Sequence, residues 1–197
     1  MNSHARTILS TLALMLAATA AWAQFPDRTI TMVGPFPPGG VADTVARPMA
    51  EAMSRDLKQS VVIENKAGAG GAIGMAHAAK AKPDGYTVLM ALSSYTVLPE
   101  ADKVLGRTPQ YQLADLKPVA RVTADPTVLA VRAESPWKTY AEFIAAARAA
   151  PGKITFGSSG NYGTMHMPMA MLAKSARLES VCSSTAVNAP FWRRLST

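Results

Sequence analysis

The chain has 197 residues, of which 49% are hydrophobic and 17% are charged. This composition excludes a disordered chain and suits one hydrophobic core or two small ones. The net charge is +7, but the basic residues are scattered singly apart from Arg193 and Arg194, so we predict no nucleic-acid partner. Cys182 is the only cysteine, which excludes an intramolecular disulfide.

Residues 1–23 have the pattern of a secretory signal peptide. His4 and Arg6 precede an uncharged apolar run at residues 8–18, and Ala-Trp-Ala at residues 21–23 matches an A-x-A cleavage site. The apolar run is shorter than the about 20 residues that a membrane-spanning helix needs. We therefore predict cleavage after this site and a mature protein that is freely soluble outside the cytoplasmic membrane.

The next segments alternate between strand-like and helix-like patterns. Strands are predicted at residues 28–33, 61–64 and 86–91, with helices at residues 41–57 and, ending near residue 82, after the second strand. Three strands joined by two helices imply a parallel βαβαβ unit with right-handed crossovers, and hence an α/β fold.

The first predicted helix carries an apolar stripe with a period of four residues. Its members are Val41, Val45, Met49, Met53 and Leu57. Pro48 lies inside this helix, where it removes a hydrogen bond and is expected to kink the axis.

The second half of the chain changes rhythm. Residues 92–112 are predicted to be a long connection, and two strand candidates follow at residues 119–123 and 127–132. Further on we predict a helix at residues 140–149, with Ser135 as its cap and Pro136 in its first turn. A strand at 154–156 and a methionine-rich helix at 164–176 are predicted to follow.

Three glycine-rich loops stand between a strand and a helix, at residues 36–43, 67–71 and 157–163. A single loop of this kind needs no functional explanation, because glycines are common in the turns between strands and helices. Three in equivalent positions favour a ligand site, because ligands of open α/β sheets gather at the carboxyl ends of strands and helix starts offer unpaired N–H donors to anions.

Nucleotide cofactors fit these loops poorly. Ile73 stands where a G-x-G-x-x-G fingerprint needs its third glycine, and no glycine run is followed by the G-K-[ST] of a P-loop. The sequence also lacks H-E-x-x-H and paired cysteines, so we predict no metal site and no cofactor. GSSGN at residues 157–161 is not a nucleophile elbow, so the sequence lacks this hydrolase motif.

Two titratable residues beside the loops have both a structural and a functional interpretation. Asp43, in the first turn of its helix, is expected to cap N–H groups and complement the helix dipole, with direct ligand contact as the alternative. His166 follows the third glycine loop, where the imidazole either hydrogen-bonds the loop or reaches a ligand.

Four separated segments carry a resemblance to a known family. They are FPDRTITMVGPFPPGGVADTVAR at residues 25–47, VVIENKAGAGGAIG at 61–74, KPDGYTVLMA at 82–91 and ITFGSSGNYGTMHM at 154–167. Their order behind a secretory signal resembles the Bug family, the extracytoplasmic solute receptors of tripartite tricarboxylate transporters.

This resemblance implies a type II periplasmic-binding-protein fold, a Venus flytrap of two lobes. It implies that a small organic carboxylate, a di- or tricarboxylate or a related acid, binds between the lobes without catalysis and is delivered to the membrane subunits of the transporter. We expect a monomer. The predicted ligand-binding residues are Phe36, Pro38, Gly39, Gly40, Asp43, Gly70, Gly71, Ser93, Ser94, Ser158, Ser159, Gly163, Thr164 and His166.

We predict a signal peptide at residues 1–23, a nearly complete first lobe at 24–118, an incomplete second lobe at 119–177 and an atypical tail at 178–197. The tail, LESVCSSTAVNAPFWRRLST, has no clear periodicity, whereas the resemblance implies a longer second lobe. We interpret the chain as a truncated or frameshifted receptor; a genuinely short receptor is the alternative.

Two other classes of function stay open at this point. A secreted hydrolytic enzyme would have to assemble its nucleophile and base from Ser158, Ser159, His166 and Asp43, and no sequence spacing supports that arrangement. An envelope interaction protein would use an exposed face of the incomplete lobe.

Overall fold

The computed structural model describes residues 25–158 and 160–179 and the backbone of a strand at Val181–Ser183. The predicted signal peptide and residue 159 lie outside the described residues. Within these described residues, no helix is both long enough and apolar enough to cross a membrane.

The first sheet has three parallel strands, β1 (Ile30–Gly34), β2 (Val61–Asn65) and β3 (Thr87–Leu89), in the order β2-β1-β3. Helix α1 (Val41–Leu57) connects β1 to β2, and α2 (Ala72–Ala79) connects β2 to β3. The predicted parallel βαβαβ unit is confirmed. Because all three strands run in one direction, the loops that follow them lie at the same edge of the sheet.

The buried face of α1 differs from the predicted stripe. Ala42, Ala46 and Ala50 are buried, whereas Val41 is 50% exposed. Alanines allow the helix backbone to approach the sheet closely, and the longer side chains of the predicted stripe then pack at the margin of the contact. The helix continues through Pro48, which lies on its exposed side.

Helix α3 (Ser94–Val104) occupies much of the region predicted to be a long connection, so that prediction is wrong. Pro99 lies inside this helix and is buried. A proline has no N–H for the carbonyl four residues earlier, here that of Tyr95. The hydroxyl of Tyr111 donates to this carbonyl at 2.7 Å and thereby satisfies it.

A second group of elements follows. It contains α4 (Tyr140–Ala149), β4 (Thr155–Gly157), α5 (His166–Ala176) and β5 (Val181–Ser183), with β4 and β5 paired in parallel. Phe143, Ile144 and Met169 form its core. β5 lies in the segment interpreted as an atypical tail, where no strand was predicted.

The cap of α4 is Thr139 and not Ser135, so the predicted cap residue is wrong. The Thr139 hydroxyl accepts a hydrogen bond from the Glu142 N–H at 3.2 Å. The helix itself runs over the predicted residues, Tyr140–Ala149.

The strands predicted at residues 119–123 and 127–132 are not formed. This segment has no regular secondary structure, and Val119 and Val128 are 93% and 78% exposed. The alternating apolar pattern favours an extended chain, but a strand also needs a neighbour for its ladder, and the described residues supply none here.

Candidate ligand-binding site

The first glycine loop is held by the carboxylate of Asp43, which is 3% exposed. Its Oδ2 accepts from the Gly39 N–H at 2.9 Å and from Arg47 Nε at 2.8 Å, and its Oδ1 accepts from Arg47 Nη2 and from Asn65 Nδ2. The Arg47 guanidinium is the main reason that the pKa of Asp43 lies below its ordinary value of 3.8. Asp43 therefore braces the loop from within the protein.

Asn65, the last residue of β2, is a second brace that the sequence analysis missed. Its Nδ2 donates to the carbonyl of Phe36 at 3.2 Å as well as to Asp43 at 3.1 Å. Its position at the carboxyl end of a parallel strand was the available signal.

The start of α1 offers free donors. Gly40 is the N-cap and supplies no side-chain acceptor. No described residue accepts from the N–H groups of Val41, Ala42 and Asp43, as is usual for the first turn of a helix without a side-chain cap.

The second glycine loop forms a tight turn, Ala69–Gly71, in which Gly70 and Gly71 are buried and have φ angles of 68° and 105°. A Cβ on Gly71 would lie 3.0 Å from Cζ of Phe36. The first and second loops are thus in direct contact. Ala69, with φ 48°, is a non-glycine residue in the left-handed region at the same turn.

The third glycine loop contacts the second through backbone atoms. A Cβ on Gly160 would lie 2.9 Å from the Gly70 nitrogen, and one on Gly70 would lie 3.2 Å from the carbonyl oxygen of Asn161. Gly163 is buried in the same contact, and the fully buried Ser158 accepts from the Gly160 N–H at 3.4 Å.

The start of α3 completes the arrangement. The Ser94 N–H donates to Thr164 Oγ1 at 3.3 Å, which joins α3 to the third loop. The Ser94 side chain is 1% exposed, and its hydroxyl has no hydrogen-bond partner among the described residues. Such a buried hydroxyl costs about 1–3 kcal/mol unless a bound group satisfies it.

His166, the first residue of α5, is turned toward its own loop. Its Nδ1 accepts from the Tyr162 N–H at 3.2 Å, and its ring lies against the ring of Tyr162 with 5.6 Å between centroids. The expected hydrogen bond between His166 and the loop is therefore present. Nε2 of His166 has no partner among the described residues.

We use the term loop cluster for residues 36–43, 68–71, 93–94, 158 and 160–166. Most of the predicted site residues lie in its contacts, but Pro38, Gly39 and Ser93 are exposed at its border, and Ser159 lies outside the described residues. In the described part of the chain, no three of His, Cys, Asp and Glu are grouped closely enough to hold a metal ion.

A parallel sheet whose loops bring helix starts, glycine turns and a buried hydroxyl together at one edge defines a ligand-binding α/β protein. A family model described as "Tripartite tricarboxylate transporter family receptor" matches residues 45–184. The chain belongs to this family. The resemblance drawn from the sequence is confirmed, and the match extends past residue 177.

Relatives of known sequence and structure agree with this membership. A UPF0065 protein from Pseudomonas sp. (strain P51) is 38% identical over 183 residues, which cover 90% of this chain and 53% of the relative. This chain thus spans about half the length of the curated relatives that it matches.

The solved structures that are similar to this chain include two from the same species. Rpa4515 of R. palustris, solved with adipate, has a TM-score of 0.75 at 30% identity. The matched region covers 88% of this chain and 57% of the Rpa4515 chain. MatC from Rhodopseudomonas palustris, solved with malate, has a TM-score of 0.72 at 28% identity. The matched region covers 87% of this chain and 57% of the MatC chain. These similarities confirm the predicted fold class, an α/β protein of the periplasmic-binding-protein type.

Proposed function

We propose that this chain is a periplasmic receptor that binds a small organic carboxylate at the loop cluster and delivers it to the membrane subunits of a tripartite tricarboxylate-type transporter. Membership of the receptor family supports the proposal. Relatives solved with adipate and with malate support the substrate class. The protein acts as a monomer, reaches its compartment through the N-terminal signal peptide and needs no cofactor.

The observation that carries the proposal is the hydroxyl of Ser94. It is buried at the point where α3 meets Thr164, and the described residues offer it no partner. A carboxylate oxygen is a strong acceptor for such a hydroxyl, and hydrogen bonds to charged groups are stronger than those between neutral groups. A bound carboxylate would thus satisfy an atom that the protein leaves unsatisfied.

The remaining donors of the cluster suit the same ligand. The first-turn N–H groups of α1 carry partial positive charge, and Nε2 of His166 has no protein partner among the described residues. Arg47, the basic residue closest in sequence to the first loop, is engaged by Asp43. Recognition therefore rests on backbone groups and neutral side chains more than on a paired charge.

Catalysis is not part of this proposal. Asp43 is fully used in bracing the first loop, and Nδ1 of His166 is occupied by the Tyr162 N–H, so the two side chains do not form a base with its orienting carboxylate. A nucleophile activated through a histidine needs such an arrangement. A secreted hydrolase is accordingly not favoured.

The test replaces Ser94 by alanine. Isothermal titration with malate, adipate and citrate is expected to give about a tenfold or larger loss of affinity in Ser94→Ala, because a hydrogen bond to a charged group is lost. In the absence of ligand, the free energy of unfolding should be unchanged or higher, because the hydroxyl has no partner among the described residues to lose.

Ser54→Ala is the matched control. Ser54 Oγ donates to the Ala50 carbonyl and accepts from the Val61 N–H, so its removal should lower the free energy of unfolding by about 1–2 kcal/mol and leave affinity unchanged. The proposal is wrong if the unmodified chain binds none of the carboxylates, or if Ser94→Ala binds them as tightly as the unmodified chain does.

A further inference from the structure

The backbone of Tyr162 is held in an unusual conformation. Its φ angle is 61°, in the left-handed region that non-glycine residues rarely adopt. The other non-glycine residues with positive φ include Lys58 and Arg177, which are C-caps of helices, where this conformation is common. Tyr162 instead lies in the third loop, where strain of this kind indicates a functional constraint.

The consequence of this conformation is a specific hydrogen bond. The Tyr162 N–H points at Nδ1 of His166, with 3.2 Å between the two nitrogens. A nitrogen that accepts a hydrogen bond carries no proton, so the ring N–H must be at Nε2. Tyr162 thereby determines which nitrogen of His166 is the donor.

Packing keeps Tyr162 in place against the strain. Its side chain packs on the core cluster that contains Phe36, Leu98 and Tyr111. The turn is closed by the Gly163 N–H, which donates to the Gly160 carbonyl at 3.1 Å. The core below the first two loops is thus connected, through one residue, to the proton position on His166.

We propose that Tyr162 is a positioning residue that fixes His166 as the Nε2–H tautomer, so that the imidazole presents a donor to the bound ligand. This deepens the proposed function and rests on it. A fixed donor selects ligands that present acceptor oxygens, such as carboxylates, over ligands of similar size that present an ammonium or amide N–H at the same point.

The first measurement needs no ligand. The ¹⁵N shifts of the His166 imidazole in the full chain, recorded at a pH where the ring is neutral, are expected to be those of the Nε2–H tautomer. His77→Gln simplifies the assignment by removing the other histidine of the described residues. Shifts of the Nδ1–H tautomer, or of an averaged mixture, would overturn the inference.

The second measurement distinguishes the roles of the two imidazole nitrogens of His166. His166→Asn retains an acceptor that can reach the Tyr162 N–H but loses the donor at the Nε2 position, whereas His166→Gln carries an amide N–H near that position. We expect His166→Asn to bind malate or adipate about tenfold or more weakly, and His166→Gln to restore most of the affinity. Equal losses in the two variants, or no loss in His166→Asn, would contradict a donor role.

Tyr140→Phe is the control, because Tyr140 is exposed at the start of α4, outside the loop cluster, and its change should affect neither the tautomer nor the affinity. The two proposals fail in different ways. An unmodified chain that binds no carboxylate disproves the proposed function and with it the ligand contact of His166. A chain that binds carboxylates but shows the Nδ1–H tautomer disproves this inference alone.

Discussion

The starts of α4 and α3 are completed in opposite ways. At α4 the sequence supplies its own acceptor, because Thr139 caps the Glu142 N–H and the Glu142 carboxylate accepts from the Lys138 N–H at 2.7 Å. At α3 the Ser94 N–H donates to the Thr164 side chain of the third loop, and the next two N–H groups donate to the backbone carbonyls of residues 92 and 93. The Ser94 hydroxyl is left without a partner among the described residues. The first helix start is completed by its own local sequence, whereas the second depends on a distant loop and leaves one buried hydroxyl for a group from outside.

The same difference extends to the other helices of the loop cluster. Neither α2 nor α5 has a side-chain cap or an acidic residue in its first turn. Backbone carbonyls take the place of side-chain caps here: the His166 and Met167 N–H groups donate to the Gly163 carbonyl, and the Ala72 N–H donates to the Ala69 carbonyl. The first-turn N–H groups of α1, for which no described residue is an acceptor, are the donors that a ligand could use.

The largest expected effect comes from a substitution that forces the second and third loops apart. Gly160→Ala would place a Cβ 2.9 Å from the Gly70 nitrogen, at a φ of +121°. Because the obstacle is backbone, we expect about 2–4 kcal/mol less free energy of unfolding and a loss of carboxylate affinity. Urea denaturation and isothermal titration measure the two effects.

Gly152→Ala is the control for this substitution. Gly152 also has a positive φ, +70°, but a Cβ there meets nothing within 4 Å, so only a cost of about 1 kcal/mol from backbone strain is expected. If both variants lose the same stability and both keep full affinity, the contact between the loops is not what maintains the cluster.

Asp43 is an intermediate case between the two kinds of helix start, because it is an acid in a first turn that braces a loop instead of capping the helix. Asp43→Asn should lower the free energy of unfolding at pH 7 by about 2–3 kcal/mol, since the amide nitrogen cannot accept from the Gly39 N–H or from Arg47.

The effect of Asp43 should depend on pH in a defined direction. Its pKa in the folded protein is lowered, mainly by Arg47, so its contribution to stability is present above the ordinary value of 3.8 and is lost as the pH falls through the lower folded value. Denaturation at pH 7 and pH 3 should show the difference between the unmodified chain and Asp43→Asn shrinking at the lower pH. A difference that stays constant would mean that the carboxylate charge is not involved.

The smallest effect is expected at the capped helix. Thr139→Ala removes the cap of α4 and should reduce the free energy of unfolding by about 1 kcal/mol, measured by urea denaturation. Carboxylate affinity should not change, in contrast to Ser94→Ala. A loss of affinity in Thr139→Ala would show that helix starts outside the loop cluster also influence binding.

Local patterns allowed much of the fold to be predicted. Helices α1 and α4 have the predicted bounds because their composition and periodicity are contained within their own residues. Helix α3 was missed because a proline inside a segment normally argues against a helix. The contact that compensates for Pro99 comes from Tyr111, twelve residues further along the chain. The strands expected at residues 119–132 depend on a neighbour, which sequence alone does not supply.

The site was predictable at the level of loops and not at the level of contacts. The rule that ligands gather at the carboxyl ends of parallel strands, together with the family resemblance, indicated all three glycine loops. It could not indicate that Ser94 meets Thr164 or that Gly70 touches Gly160, because these pairs lie far apart in sequence. Asn65 and Tyr162 were missed because their roles come from a hydrogen bond and a backbone angle.

The carbonyl of Tyr95 makes two distant positions evolutionarily dependent on each other. Pro99 removes the N–H that would normally bind this carbonyl, and the Tyr111 hydroxyl replaces it in a buried place where burial raises the pKa of the phenol to about 12. Pro99 without the Tyr111 hydroxyl would leave the Tyr95 carbonyl unsatisfied. Neutral drift at residue 99 is therefore constrained by residue 111, and the two positions are expected to covary among homologues.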